Sequence, residues 1–173
     1  PGTRKEVNKV ERTLSPVTYA ETYDGPKLDI VIPILDPGIP DDQAKWEAQG
    51  IWPELRRAES VWYARQIAEA IEQTGIFNSV LVVADTAVSS DLYLLGKIKK
   101  SNGEDLEIDF GLYDTTGKKL IKTFKLKSRV EPDWYINTLR TSSDPFAYEY
   151  PVVAKRVVDQ LLKINRKDKK RRT

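Results

Sequence analysis

The sequence contains no cysteine, no histidine and no methionine in its 173 residues. Without Cys the chain has no disulfides, thiol nucleophiles or thiolate metal sites. Without His it lacks the usual Ser-His-Asp triad and the His-rich zinc sites. We therefore expect a protein that is not an enzyme and that holds neither a cofactor nor a metal. A chain without Met is also expected to have lost its initiator by processing or to be a piece of a longer protein.

Long hydrophobic runs are missing as well. The longest apolar stretches, 28–35 and 80–84, are far too short to span a bilayer. A hydrophobic content of 40% is nevertheless enough to build one sizeable core. We expect a single domain over residues 17–165, preceded by an extended or flexible arm over 1–16 and followed by a basic tail over 166–173.

Charge is distributed unevenly along the chain, although the net charge is only +2. Seven basic residues against Asp168 give the stretch 163–172 a net charge of +6, which leaves −4 for the rest of the chain. The sequence therefore indicates a mildly acidic folded body with a basic end.

Helix and strand patterns alternate in the first half of the chain. The β-branched stretch 28–35 predicts a strand, with Pro33 at a bulge, an edge or a strand end. A helix is predicted over 54–74, ending before Gly75. The short apolar run 79–84 is typical of a strand buried on both sides. The positions of the helix expected to face the core are Leu55, Ala58, Val61, Ala64, Ala68 and Ile71.

The second half begins with three alternating strands, joined by turns at Asn102-Gly103 and at 114–117. Their outer face carries mixed charges, and a second amphipathic helix follows over 151–164. We predict an α/β fold of the α+β type. It is expected to be a two-layer sandwich of order β-α-β-β-β-α, with two helices packed on one face of a mixed sheet.

Two phrases of the sequence, Ile-Ala-Glu-Ala-Ile-Glu-Gln-Thr-Gly-Ile-Phe-Asn-Ser-Val (67–80) and Asp-Leu-Tyr-Leu-Leu-Gly-Lys-Ile (91–98), support a family resemblance. With the order of elements, they resemble a group of bacterial envelope proteins that includes the amino-terminal domain of the Tol-system protein TolB, the curli secretion lipoprotein and small polysaccharide-export lipoproteins. The phrases 52–59 and 144–146 are similar to proteobacterial lipoproteins. The resemblance implies a periplasmic, often lipid-anchored subunit of an envelope assembly.

Two loops supply the candidate binding residues. The loop 36–53 is rich in Pro and Trp, and its indoles either contact a partner or form a lid on the core. The aromatic loop 134–150 either contacts a partner or a sugar, or plugs the sheet edge. Three acidic residues of the first loop, Asp36, Asp41 and Asp42, lack the spacing of a calcium loop. The predicted partner-binding residues are Trp46, Trp52, Trp134, Tyr135, Phe146 and Tyr148.

Acid–base chemistry is not indicated by the carboxylates. Glu107 and Asp109 share one strand face, but lysines lie nearby and no apolar pocket is predicted to raise a carboxyl pKa. We predict a non-enzymatic periplasmic protein associated with the outer membrane, acting as a scaffolding subunit of a secretion, flagellar or polysaccharide-export complex. Its expected partners are other envelope proteins or copies of itself, with a possible membrane anchor outside this chain. The alternatives are a nucleic-acid-binding module that uses the basic tail, and a saccharide- or peptidoglycan-binding domain.

Overall fold

The fold was analysed in a computed structural model, which describes residues 23–131 and 144–172. The arm predicted over 1–16 lies outside the described residues. The helices and strands are, in chain order, β1 (Asp29–Pro33), α1 (Ala44–Ala48), α2 (Pro53–Glu72), β2 (Ser79–Val83), β3 (Leu92–Ser101), β4 (Asp105–Asp114), β5 (Phe124–Arg129) and α3 (Tyr150–Arg172).

The five strands form one mixed sheet in the order β2-β1-β3-β4-β5. Strand β1 is parallel to both of its neighbours, whereas β3, β4 and β5 form an antiparallel meander. Helices α2 and α3 pack against each other and share one core with the sheet. The predicted two-layer α+β sandwich is confirmed. The observed order, β-α-α-β-β-β-β-α, has one strand and one short helix more than the predicted order, although the individual sequence patterns do predict all five strands.

The end of β1 bends away from β3. Strand β1 pairs with β3 only at Ile30 and Val31, and pairing resumes at an isolated bridge between Asp36 and Lys97. Pro33, which has no backbone N–H to donate, is the last residue of the strand. The sequence prediction of a bulge or strand end at Pro33 is therefore confirmed.

Strand β2 lies at the edge of the sheet, with β1 as its one neighbour among the described residues. The prediction of a strand buried on both sides is therefore wrong. Val80 and Val82 pack toward the core, but Leu81 on the other face is 55% exposed. A short apolar run has the same appearance at an edge and in a sheet centre, so the sequence pattern does not separate the two.

Both turns of the meander form as the sequence predicts. Asn102 Oδ1 accepts hydrogen bonds from the backbone N–H of Glu104 at 3.0 Å and of Asp105 at 2.7 Å. Asp114 Oδ1 accepts in the same way from Thr116 and Lys118 at 2.9 and 3.0 Å. These contacts are typical of turns in which a side-chain oxygen replaces a backbone acceptor.

The outer face of the meander is only partly charged. Toward β5 the Lys125 ammonium lies 3.5 Å from Glu107 and 3.7 Å from Asp109, as the mixed charges predict. Toward β1 the same face carries Tyr93 and Leu95, which are both half-buried. Further along β3 this face carries the exposed Lys97 and Lys99, so the prediction of a charged outer face fails only at the start of β3.

Helix α3 continues through Arg172, eight residues beyond its predicted end at 164. Residues 166–172 of the predicted basic tail are consequently its last two turns. Asp24 accepts hydrogen bonds from Asn165 at 3.0 Å and from the Lys169 ammonium. The hydrogen bond from Lys169 lowers the pKa of the Asp24 carboxyl. No helix in the described part of the chain is long and apolar enough to cross a membrane.

Candidate partner-binding surface

Helix α2 buries an arginine near its start. Pro53 occupies the first turn, where a missing N–H costs nothing, and Arg56 follows with only 3% of its surface exposed. The guanidinium donates to the backbone oxygen of Pro37 at 3.1 Å and to that of Ser101 at 3.3 Å. Burial lowers the pKa of Arg56, and the nearby Glu59 carboxylate opposes this effect. Arg56 therefore ties the first turn of α2 to the loop after β1 and to the end of β3.

Glu59 extends this buried polar network by one turn. Its Oε2 accepts a hydrogen bond from the Tyr63 hydroxyl at 2.9 Å and another from the Ser101 hydroxyl. Tyr63 is buried, and the loss of water around its hydroxyl raises its pKa. Because every one of these groups has a partner, the network can hold α2 in one position.

Asp144 fixes a second segment against α2. Its Oδ1 accepts from the backbone N–H of Phe146 at 2.8 Å, and its Oδ2 accepts from the Trp62 indole N–H at 2.9 Å and from the Tyr150 hydroxyl. The Tyr150 ring lies 6.4 Å from the Tyr63 ring, and burial raises the pKa of the Tyr150 hydroxyl. The turn that precedes α3 is thereby held beside the middle of α2.

Above this polar network, α2 presents large apolar side chains to solvent. Trp52 is 67% exposed, Leu55 52% and Trp62 49%. Leu55 and Trp62 are about two helical turns apart and so lie on the same side of the helix. Trp52 caps the same helix at its start. We call these three residues the α2 strip. Tyr148, 47% exposed, lies in the adjacent turn that Asp144 holds.

Four of the six predicted partner-binding residues lie in the described part of the chain, and they differ in burial. Trp52 and Tyr148 present much of their surface to solvent, as a contact residue must. Trp46 is half-buried, and its indole N–H donates to the Pro40 oxygen at 2.6 Å, which closes the loop on itself. Phe146 is only 4% exposed and belongs to the core, so its prediction as a contact residue is corrected. Trp134 and Tyr135 lie outside the described residues.

Sequence reasoning missed two members of the α2 strip. It assigned Leu55 to the core face of the helix and did not single out Trp62. The observed buried residues of α2 are Arg56, Ser60, Tyr63, Ala64, Ile67, Ala68 and Ile71. This series keeps a helical spacing, but its first members are polar. A search for apolar residues alone does not find this buried face. The three- and four-residue steps from Arg56 to Ile71 appear only when polar residues are counted as possible buried positions.

The loop 36–53 is more regular than predicted. It contains the short helix α1, and two of its acidic residues bind backbone N–H groups. Asp36 accepts from Gly38 at 2.9 Å, and Asp42 accepts from Ala44 at 3.0 Å. These carboxylates therefore each close a local turn in the described structure, and the turn at Asp42 lies just before α1.

A groove of about 390 Å³ opens on the sheet face away from the helices, where β1 bends away from β3. Its floor is apolar at Leu95 and Gly111, and Lys97 and Asp109 line its polar part. The Asp109 carboxylate makes its ion pair with Lys125 at 3.7 Å, a distance beyond a hydrogen bond. Asp109 Oδ1 is buried in this groove, and no described residue donates a hydrogen bond to it.

The fold and surface define a two-layer α+β domain with an apolar strip on one helix. No protein-family model matches the chain, and no curated protein matches it. Among solved structures, it is similar to the crystal structure of protein XCC0632 from Xanthomonas campestris, described with the family model DUF330. The two share 13% sequence identity with a TM-score of 0.45, over 84% of this chain and 89% of that chain. A likeness at this level carries no functional argument.

Proposed function

We propose that this protein is a non-enzymatic periplasmic envelope protein, associated with the outer membrane, that acts as an assembly or scaffolding subunit of a multiprotein complex. The observation that carries the proposal is the α2 strip. Tryptophan is among the residues that contribute most to binding energy in protein interfaces. Two exposed Trp side chains and a Leu along one helix form the kind of apolar surface that a partner protein covers.

Rigidity beneath the strip supports this proposal. Arg56 and Glu59 hold the start of α2, and Asp144 holds the Trp62 indole. A surface that is already ordered before binding loses little conformational entropy when a partner docks. The buried polar network would therefore favour affinity without touching the partner itself.

The envelope compartment and the scaffolding role are supported by the sequence resemblance to bacterial envelope proteins. The absence of Cys and His from the sequence supports a role without catalysis. A partner-binding subunit needs an ordered fold and an exposed apolar surface, and the shared core and the α2 strip support the proposal on both points.

Site-specific photo-crosslinking in living cells tests this function. A photoreactive residue at position 52 or 55 should form covalent adducts with one or a few envelope proteins in the periplasmic and membrane fractions. The same residue at Val88, which is exposed on the connection between β2 and β3, is the matched control. Adducts at 52 and 55 no stronger than at 88, or a chain recovered with the cytoplasmic fraction, would refute the proposal.

A further inference from the structure

The two edges of the sheet differ in charge. Strand β2 has the sequence Ser-Val-Leu-Val-Val, with no charged residue, no proline and no bulge in its pairing with β1. Exposed strand edges present unpaired backbone N–H and C=O groups, and proteins usually protect them with charged residues, proline or a covering segment. Strand β2 carries none of the protective residues.

Strand β5, at the opposite edge, is protected in the usual way. Lys125, Lys127 and Arg129 are exposed and alternate with the buried residues Phe124 and Leu126. A strand added at this edge would place its side chains against a row of cations. Among residues 23–131 and 144–172, one edge of the sheet is therefore protected and the other is able to pair.

We propose that β2 is a self-association surface, at which β2 pairs antiparallel with β2 of a second copy of this chain. Centred on Leu81, this pairing places Ser79 opposite Val83 and Val80 opposite Val82. Two five-stranded sheets then become one continuous sheet through a two-fold axis.

Three properties favour a second copy as the occupant. Because β2 is uncharged, pairing it with itself brings no like charges together. Because Leu81 is 55% exposed, two Leu81 side chains beside each other at the axis would cover one another. The joined sheet would end at a β5 edge on both sides, and the lysines there would stop the assembly at two copies.

The start of β2 is already held in a conformation that can pair. Asp29 Oδ1 accepts hydrogen bonds from the Asn78 amide at 2.8 Å and from the Ser79 hydroxyl at 2.7 Å. Since these contacts fix the register of β2 on β1, the free edge presents one defined set of backbone groups. This surface is separate from the α2 strip, so the two proposals can fail independently.

The chain has no native cysteine, which allows a direct crosslinking test. Opposed residues of an antiparallel pair have Cβ atoms about 5 Å apart, near enough for a disulfide after a small adjustment. Under mild oxidation, Leu81→Cys should therefore form a disulfide-linked dimer. Lys125→Cys, on the protected edge, is the matched control and should remain mostly monomeric. Equal yields from the two variants would overturn the proposal.

Sedimentation of the unmodified chain over a concentration series provides the second measurement. We expect a reversible dimer, which Leu81→Lys should dissociate by placing two ammonium groups at the axis. Circular dichroism should show that this variant keeps its fold, because Leu81 is exposed. A wild-type chain that remains monomeric up to its solubility limit would overturn the proposal, as would a dimer that Leu81→Lys leaves intact. If Leu81→Lys fails to fold, the comparison of the cysteine variants decides.

Discussion

The two halves of helix α2 bury different kinds of side chain. In its second half, Ala64, Ala68 and Ile71 are buried, as the amphipathic pattern predicts. In its first half the helix buries Arg56 and exposes Leu55. The polarity of the inner face therefore changes within a single helix.

The difference shows that the inner face of a helix is set by what lies opposite it. Beneath the second half lies the apolar core of the sheet. Beneath the first half lie the backbone oxygens of Pro37 and Ser101, which need hydrogen-bond donors once water is excluded. A buried arginine supplies two donors, and the apolar side chains of that half are left on the outside, where a partner can use them.

The largest expected effect on stability comes from shortening a buried side chain in the second half of α2. Ile67 is fully buried, so Ile67→Ala should lower the free energy of unfolding by about 2–5 kcal/mol through lost burial and a residual cavity. Leu55→Ala, the matched change in the first half, should cost less than about 0.5 kcal/mol because Leu55 is exposed. Urea denaturation measures both values. Equal losses of unfolding free energy in the two variants would contradict the difference between the two halves of α2.

The next effect concerns the buried arginine. Arg56→Leu leaves the Pro37 and Ser101 oxygens without their donors, which should cost about 1–3 kcal/mol of stability. Arg57→Leu is the control, since it makes the same change at the neighbouring, exposed position. It should leave the denaturation midpoint nearly unchanged. A fully stable Arg56→Leu variant would show that the polar network does not hold the first half in place.

Alkaline pH should weaken the network beneath the first half. Burial raises the pKa of Tyr63 and Tyr150 above the ordinary tyrosine value of 10.0. Below pH 10 both hydroxyls keep their protons in the folded and unfolded chains. The contribution of these two tyrosines to the free energy of unfolding is then fully present. Above pH 10 the unfolded chain releases protons that the folded chain retains, so stability falls as pH rises. The free energy of unfolding can fall by at most about 1.4 kcal/mol per pH unit for each tyrosine.

Denaturation at several pH values between 8 and 11 would measure this slope, and the double variant Tyr63→Phe/Tyr150→Phe should make it shallower. The double variant has no hydroxyl protons to release at these two positions. A slope identical to that of the unmodified chain would mean that these tyrosines do not titrate differently in the folded state.

The smallest effect on stability is expected at the α2 strip itself. Trp52 caps the helix without a side-chain hydrogen bond, and most of its surface is in water. Trp52→Ala/Leu55→Ala should therefore change the free energy of unfolding by less than about 1 kcal/mol. Thermal denaturation followed by circular dichroism checks this value. A loss as large as that of Ile67→Ala would show that these side chains support the fold.

Most of the fold could be predicted from the sequence because local signals agree with the tertiary structure. The alternation in β3 and β4 and the turn residues Asn102 and Asp114 specify the meander without reference to the rest of the chain. The second half of α2 is equally consistent, since its apolar spacing matches its buried face.

The surface could be predicted only in part because burial depends on distant segments. The sequence predicts Trp52 as a partner-contact residue and Leu55 as a core residue, and the structure exposes both. Arg56 lies on the inner face, where it donates hydrogen bonds to the Pro37 and Ser101 oxygens, and Ser101 is 45 positions away in the sequence. Phe146 similarly enters the core from a loop that has no periodic pattern. The burial of Phe146 follows no periodic pattern in the local sequence, and that of Arg56 fits the helical spacing only when polar residues are counted as possible buried positions.

The central claim is that α2 exposes apolar residues in its first half for binding, not for stability. Photo-crosslinking in cells from position 62, with and without Trp52→Ala/Leu55→Ala in the same chain, tests it most directly. We predict that the double variant unfolds at nearly the same denaturant concentration as the unmodified chain and loses its adducts with envelope proteins. Undiminished adducts from a folded double variant would contradict the claim.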